Sequence, residues 1–372
     1  MQTYIFILGR QSEIGLAELR SAFGEAELVL PHLAFVHSDT QPNINRLGGT
    51  RKIGKVIYDN SGEPSKFLIN FFKNLPEGKI TLGVSYYGRS VTAANARKTG
   101  VYLKNHINRS VRVLPNSTAE ITDAASLGNK LGTSSNKVEL LMIYLGHRLI
   151  IAELIGVQGL NSYTFRDRSR PCRDTKVGML PPKLAQIMIN LAAPGCTANG
   201  TLLDPFCGTG VTLQEAALMG FSVYGTDMEQ RMVSYTRKNL EWLEQKYHFQ
   251  VAPRLEIGDA TAYTWKKPFD CVVAEAYLGQ PYTTPPQLTK LKENMAVCDL
   301  IIEKFLKNLR RQIEKNTGIC VVVPVWLVGG KKYHLAVIQK LTNLGFETKI
   351  SPLIYAREGQ IVGRELLVLA KR

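Results

Sequence analysis

Four acids recur at the ends of short apolar runs: Asp204 after 201–203, Asp227 after 223–226, Asp259 after 255–258, and Glu275 after 269–274. If each run is a strand of one parallel sheet, all four carboxylates arrive at its carboxyl edge, where open α/β sheets bind ligands. The first acid is followed by Pro205-Phe206-Cys207-Gly208-Thr209-Gly210. This is a tight turn whose glycines let backbone approach a ligand, and the helix opening at Val211 presents free N–H groups to the same place. Asp227, closing the second strand, is placed to accept hydrogen bonds from ribose hydroxyls. The spacing is not G-x-G-x-x-G and contains no Gly-Lys-Ser/Thr, so a dinucleotide or nucleoside triphosphate fits poorly. An Asp at a strand-to-helix junction also caps helices, and any one of the four reads as well that way; the ordered set with DPFCGTG points to a pocket.

These acids need a layered α/β scaffold. Val211, Leu213, Ala216 and Ala217 give the first helix an inner face. Upstream, Pro181 and Pro182 suit a helix start, with Leu184, Ile187, Met188 and Leu191 on its apolar face. Downstream, the pattern predicts a helix over 299–315, with Leu300, Ile301, Phe305, Leu306 and Leu309 inward and Lys304, Lys307, Arg310 and Arg311 outward. Residues 318–325 read as a fifth, fully buried strand. A helix over 333–344 and closing strands over 347–355 and 365–370 complete the set.

The front half is different. Residues 1–55 alternate apolar run, helix and apolar run (4–8, 12–23, 28–36), which predicts a small ferredoxin-like α+β module. A second unit, 56–157, contains a helix at 64–72, a strand at 80–86, a basic helical stretch at 91–111 and a strand pair around Gly146-His147. In the basic stretch Arg97, Lys98, Lys104 and Arg109 are read as solvent-facing, while Val101, Leu103 and Ile107 turn inward, the arrangement of an RNA-facing helix or of an ordinary solvated one. Residues 158–177 form a polar linker in which Arg166, Arg168, Arg170, Arg173 and Lys176 outweigh Asp167 and Asp174. A linker of that composition can be simply solvated, or its arginine forks can meet phosphates.

Lysine and arginine number 46 against 31 acids, a formal charge of +15 over 372 residues, which suits a polyanionic partner. No run approaches the roughly 20 apolar residues of a membrane span. The six cysteines lie in the second half without a Cys-X-X-Cys pair and read as reduced thiols of a cytoplasmic chain, with no metal site.

With these residues in view, DPFCGTG, Gly225-Thr226-Asp227 and Gly258-Asp259-Ala260 resemble the cofactor half of Rossmann-type S-adenosylmethionine-dependent methyltransferases, in the branch that methylates amines. Arg170-Pro171-Cys172-Arg173-Asp174 with the stretch 178–192, the opening 4–10 and the stretch 47–54 resemble the THUMP-containing tRNA guanosine N2-methyltransferases acting on guanosine 10. The resemblance implies a methyltransferase domain over 178–372 with a seven-stranded, mostly parallel sheet, and a THUMP-like RNA-binding domain over 56–157. It implies S-adenosylmethionine held by Met179, Pro181, Asp204, Pro205, Cys207, Gly208, Gly210, Asp227, Met228, Asp259, Ala260 and Glu275. tRNA would be bound through Arg97, Lys98, Lys104, Arg109, Arg166, Arg168, Arg170 and Arg173.

Such enzymes carry Asp or Asn, two prolines and an aromatic after the fourth strand; here the residues are Glu275-Ala276-Tyr277-Leu278-Gly279. Glu275 is the expected acceptor for the target amine and Tyr277 the stacking face. Three readings stand: an active tRNA N2-methyltransferase; a tRNA- and cofactor-binding protein that has lost catalysis or needs an activating protein subunit; and a DNA amino-methyltransferase.

Overall fold

The structure, a computed structural model, describes residues 1–174, 179–194 and 200–372. Lys176, named above, and Cys196, one of the six cysteines, lie outside the described residues. The chain divides into two compact units, Met1–Asn161 and Ser162–Arg372.

The first unit opens with β1 (Gln2–Leu8), α1 (Ser12–Phe23), β2 (Glu27–Leu30), β3 (Leu33–Ser38) and β4 (Thr50–Asn60). It continues with α2 (Ser65–Lys73), β5 (Ile80–Tyr87), α3 (Ala93–His106), β6 (Val111–Val113), α4 (Asp123–Gly128), β7 (Lys137–Leu145) and β8 (Arg148–Val157). The eight strands form one mixed sheet, ordered β2-β3-β1-β4-β8-β7-β5-β6. The boundary expected at 55/56 falls inside β4, which pairs with β1 on one side and β8 on the other, so the two expected modules share a single sheet.

Helices α2 and α3 cover β5, β7 and β8 through Leu68, Phe72, Leu103 and Ile107. Val101, expected inward, is 40% exposed, because α3 buries the line Ala96, Gly100 and Leu103 instead. Within the sheet, Lys52 and Glu139 are fully buried and paired at 2.5 Å, with Ser85, Ser126 and the Ile121 carbonyl taking further bonds. A buried charge pair survives only where its hydrogen-bonding capacity is met in this way.

Helix α5 (Leu160–Arg168) occupies the first part of the expected linker. It is followed by α6 (Pro182–Ala192), β9 (Thr201–Asp204), α7 (Val211–Leu218), β10 (Ser222–Asp227), α8 (Gln230–Tyr247), β11 (Arg254–Ile257) and β12 (Cys271–Glu275). Then come α9 (Leu288–Gln312), β13 (Gly318–Val328), β14 (Lys331–Tyr333), β15 (Phe346–Thr348), β16 (Leu353–Tyr355) and β17 (Val362–Lys371). The sheet runs β11-β10-β9-β12-β13-β17-β15, with β14 and β16 pairing at β13 and β17. The first five strands are parallel and β17 inserts antiparallel between β13 and β15. This is the α/β architecture, with a mostly parallel sheet, that the sequence implied.

Three expectations are corrected. The helix placed at 333–344 is absent: Gly329-Gly330 turns the chain back into β14, pairing Tyr333 with Trp326. Only a short 3-10 turn, Ala336–Lys340, follows, capped by the Asp299 carboxylate on the Ala336 and Val337 N–H groups. The strand at 347–355 is split into β15 and β16 around Ser351-Pro352, since proline cannot donate to a ladder. Helix α9 begins eleven residues before the expected start and turns Ile302 inward, leaving Leu300 57% exposed.

Candidate active site

β9, β10 and β12 end side by side, and three of the expected acids make the same local bond. Asp204 Oδ1 accepts from the Phe206 N–H (3.1 Å), Asp227 Oδ1 from the Glu229 N–H (2.9 Å), and Asp259 Oδ1 from the Thr261 N–H (2.9 Å). The capping role and the pocket role therefore coexist. Each acid fixes the turn that leaves its strand, and its remaining acceptor capacity stays at the sheet edge.

The glycine turn is tied from several sides. Gly208 donates its N–H to Asp227 Oδ2 at 3.0 Å, joining the first strand end to the second. Thr236 Oγ1 donates to the Gly208 carbonyl at 2.8 Å, and Asn239 Nδ2 donates to the Thr209 carbonyl at 2.8 Å. Asn239 also exchanges two bonds with the Cys172 backbone, fastening the 170–174 segment to the turn. Gly210 has φ +82°, and a Cβ there would stand 2.8 Å from Thr236 Cγ2, so both backbone shape and space require glycine.

A cleft opens beside this turn. Of the expected cofactor residues, Met179, Asp204, Cys207, Gly208 and Glu275 line it. Asp174, Phe206, Thr212 and Met232 also line it and were not anticipated; Asp174 was legible as part of the Arg-rich motif. Pro181 and Pro205 are not lining residues. Pro181 instead starts α6 through its carbonyl, and the Pro205 carbonyl accepts from Thr226. Gly210 caps α7, and Ala260 is buried in the core beneath α9, not at the cleft. Asp227, Met228 and Asp259 sit outside the cleft proper, with Met228 72% exposed.

The site is acidic. Burial pushes the Asp204 carboxyl up to about 7, against the pull of its Phe206 and Thr212 hydrogen bonds and with help from Asp227 and Glu275. Burial also raises Asp227, opposed by the Glu229 and Gly208 N–H groups, and raises the Cys207 thiol well above its ordinary value. Glu275 is raised by burial and drawn back by Arg364, whose Nε lies 2.5 Å from Glu275 Oε1. Arg364 was not anticipated. It comes from β17, 89 residues away in sequence. Tyr277 packs against the α9 core and its hydroxyl meets Gln280 Nε2 at 3.5 Å.

The expected RNA-binding set divides sharply. Arg97, Lys98, Lys104, Arg168 and Arg173 are exposed. Arg109 spends its guanidinium on the carbonyls of Phe72, Leu75, Pro76 and Gly78, closing the loop after α2. Arg166 is 6% exposed and pairs in a fork with Glu215, and Arg170 is 3% exposed against Met179 and Asp167. Arg109 and Arg166 are spent on protein groups, whereas Arg170 is buried with its Nε and Nη1 unbonded among the described residues and only Met179 Sδ and Asp167 near its Nη2.

Among the described residues no group of histidines, cysteines and acids could hold a metal ion, and no helix is long and apolar enough to cross a membrane.

Residues 170–326 match the UPF0020 family model, described as an RMKL-like methyltransferase domain. The resemblance to tRNA guanosine N2-methyltransferases is matched by relatives over part of the chain. The chain is 32% identical over 151 residues to the tRNA (guanine(10)-N2)-dimethyltransferase of Methanothermobacter thermautotrophicus, covering 40% of each chain. It is 32% identical over 150 residues to that of Pyrococcus abyssi, covering 39% of this chain and 42% of the relative. The chain thus spans about two-fifths of the length of the curated relatives it matches. TrmN from Thermus thermophilus aligns over 100% of both chains with a TM-score of 0.53 and 15% identity, which is agreement of fold.

Proposed function

We propose that this protein is an S-adenosylmethionine-dependent tRNA methyltransferase that methylates the exocyclic N2 amine of a guanosine. The observation that carries this reading is the acidic corner where the Gly208–Asp227 bond and Glu275 flank one cleft. The residues fit the cofactor. Three carboxylates, Asp204, Asp227 and Glu275, favour a cationic sulfonium. Asp227 keeps acceptor capacity for ribose hydroxyls, and the exposed apolar side chains of Met228 and Ile257 offer a surface that an adenine ring would cover. When bound, S-adenosylmethionine supplies an electrophilic methyl group.

This chain's residues would do the rest. Glu275 accepts a hydrogen bond from the target amine, drawing its nitrogen lone pair out of conjugation with the base, and can hold the proton that the amine gives up. Tyr277 gives the extruded base a face to stack on. The exposed Arg97, Lys98, Lys104, Arg168 and Arg173 would meet tRNA phosphates. The 56–157 stretch acts in this reading as a THUMP-like RNA-binding domain, and the protein works in the cytoplasm on tRNA, with or without an activating subunit.

The test is methyl transfer from labelled S-adenosylmethionine to unmodified tRNA, with nucleoside analysis of the product. N2-methylguanosine supports the reading. Binding of both cofactor and tRNA without transfer would move it to a non-catalytic or partner-dependent protein.

A further inference from the structure

We propose that Arg364 is a positioning residue for the reaction assigned to this site: its guanidinium holds one oxygen of Glu275 so that the other is presented to the substrate. The inference rests on the methyltransferase reading and adds to it a residue that neither motif nor resemblance marks.

The geometry is specific. Arg364 is 5% exposed on β17, and β13 lies between that strand and β12, so the side chain reaches across one strand to Glu275. Nε donates to Glu275 Oε1 at 2.5 Å, and Nη2 donates to the Met179 carbonyl at 3.3 Å. One guanidinium thereby joins the fourth strand end to the segment leading into α6, and both Met179 and Glu275 line the cleft. A planar fork fixes the direction of a carboxylate as a lysine point charge does not.

The need for such a clamp follows from the loop. Glu275 is one methylene longer than an aspartate, and no proline stiffens the residues after it. The backbone is held by other means. Ala276 N–H donates to the Val322 carbonyl at 2.9 Å, Gly279 turns at φ +81°, and Asn294 of α9 accepts from the Gln280 N–H at 3.1 Å while donating to the Tyr282 hydroxyl at 3.2 Å. With the main chain anchored to β13 and α9, the remaining freedom is in the Glu275 side chain, and Arg364 removes it.

Charge points the same way. Glu275 pairs with Arg364 from β17 and couples to Asp204 from β9, itself coupled to Asp227, and it shares the cleft lining with Asp174 and the Cys207 thiol. Among the described residues lining the cleft none is cationic, so Arg364 supplies the counter-charge that opposes burial of the carboxylate.

The experiment compares full-length wild type, Arg364→Met and Arg364→Lys for tRNA methylation across pH, with cofactor affinity and melting temperature measured alongside. Arg364→Met is expected to lower kcat by about 100-fold with KM for tRNA little changed, and to move the acidic limb of kcat to higher pH by about one unit or more. Arg364→Lys is expected to keep the wild-type limb and to recover part of the rate. An unchanged kcat and limb in Arg364→Met overturns the assignment. So does a rate loss no larger than the loss of folded or cofactor-bound protein. If Arg364→Met does not fold, Arg364→Lys decides, and a full wild-type rate overturns the clamp. If the wild type itself transfers no methyl, the functional reading fails. The clamp is then judged by 13C titration of the Glu275 carboxylate, assigned by its loss in Glu275→Gln, and equal midpoints in wild type and Arg364→Met refute it.

Discussion

The Gly208 backbone N–H and the Asp227 carboxylate meet at 3.0 Å, so the glycine turn and the second strand end are one construction. Asp227→Ala removes both the clip and the proposed ribose acceptor. Cofactor affinity is expected to fall by about 1.5–3 kcal/mol, the range for hydrogen bonds to a charged acceptor. Calorimetric titration checks this, and unchanged affinity would place the ribose elsewhere.

Glu275→Gln keeps the shape of the side chain but can no longer hold a proton. Methyl transfer is expected to drop by about 100-fold or more while cofactor affinity stays within a few fold. Single-turnover transfer with tRNA in excess separates the two effects, and a fully active variant would remove Glu275 from the chemistry.

Asp204 titrates at about 7 because it is buried. The unfolded chain gives up this proton near pH 4, so between about 4 and 7 the folded state binds more protons and stability falls as pH rises. This contribution is at most about 4 kcal/mol. Asp204→Asn is expected to flatten that fall in melting temperature. In the wild type the affinity ratio of S-adenosylmethionine to its uncharged demethylated product should rise through pH 7, as the carboxylate forms opposite the sulfonium. A pH-independent ratio would separate Asp204 from the sulfonium.

Arg166 and Arg168 lie two residues apart and predict opposite phenotypes. Arg166→Ala leaves Glu215 buried without its forked ion pair, with an expected stability cost of about 3–5 kcal/mol. Arg168→Ala and Arg173→Ala, both exposed, should leave the melting temperature alone. They should lower the salt dependence of tRNA affinity by about one unit of slope for each phosphate that is no longer neutralised. Thermal melting and filter binding at several salt concentrations distinguish the two groups.

The acid-ended strands were legible because an apolar run closed by an acid, with a glycine within about four residues, is a local signal. Arg364 was not, because its partner lies in another strand and register alone decides which face it takes. A trace was present in the adjacent charges Arg364 and Glu365 inside the apolar run 362–370. On a strand these point to opposite faces, and each must find a partner: Glu275 for one, His334 for the other. Arg109 and Arg166 were not legible as spent charges for the related reason that composition counts charges without showing which already have protein partners. The helix expected at 333–344 ignored Gly329-Gly330, a turn signal strong enough to pull Tyr333 into a hairpin.

The strand order carries a consequence for how the protein comes into being. β17 is synthesised after every other strand of its sheet, yet it threads between β13 and β15 and brings Arg364 to the fourth strand end. A nascent chain that has already made the glycine turn and all four acids still holds Glu275 without its counter-charge and lacks a central strand. The Arg364–Glu275 pair therefore forms only once β17 has joined the sheet, and a chain that stops before β17 cannot make it.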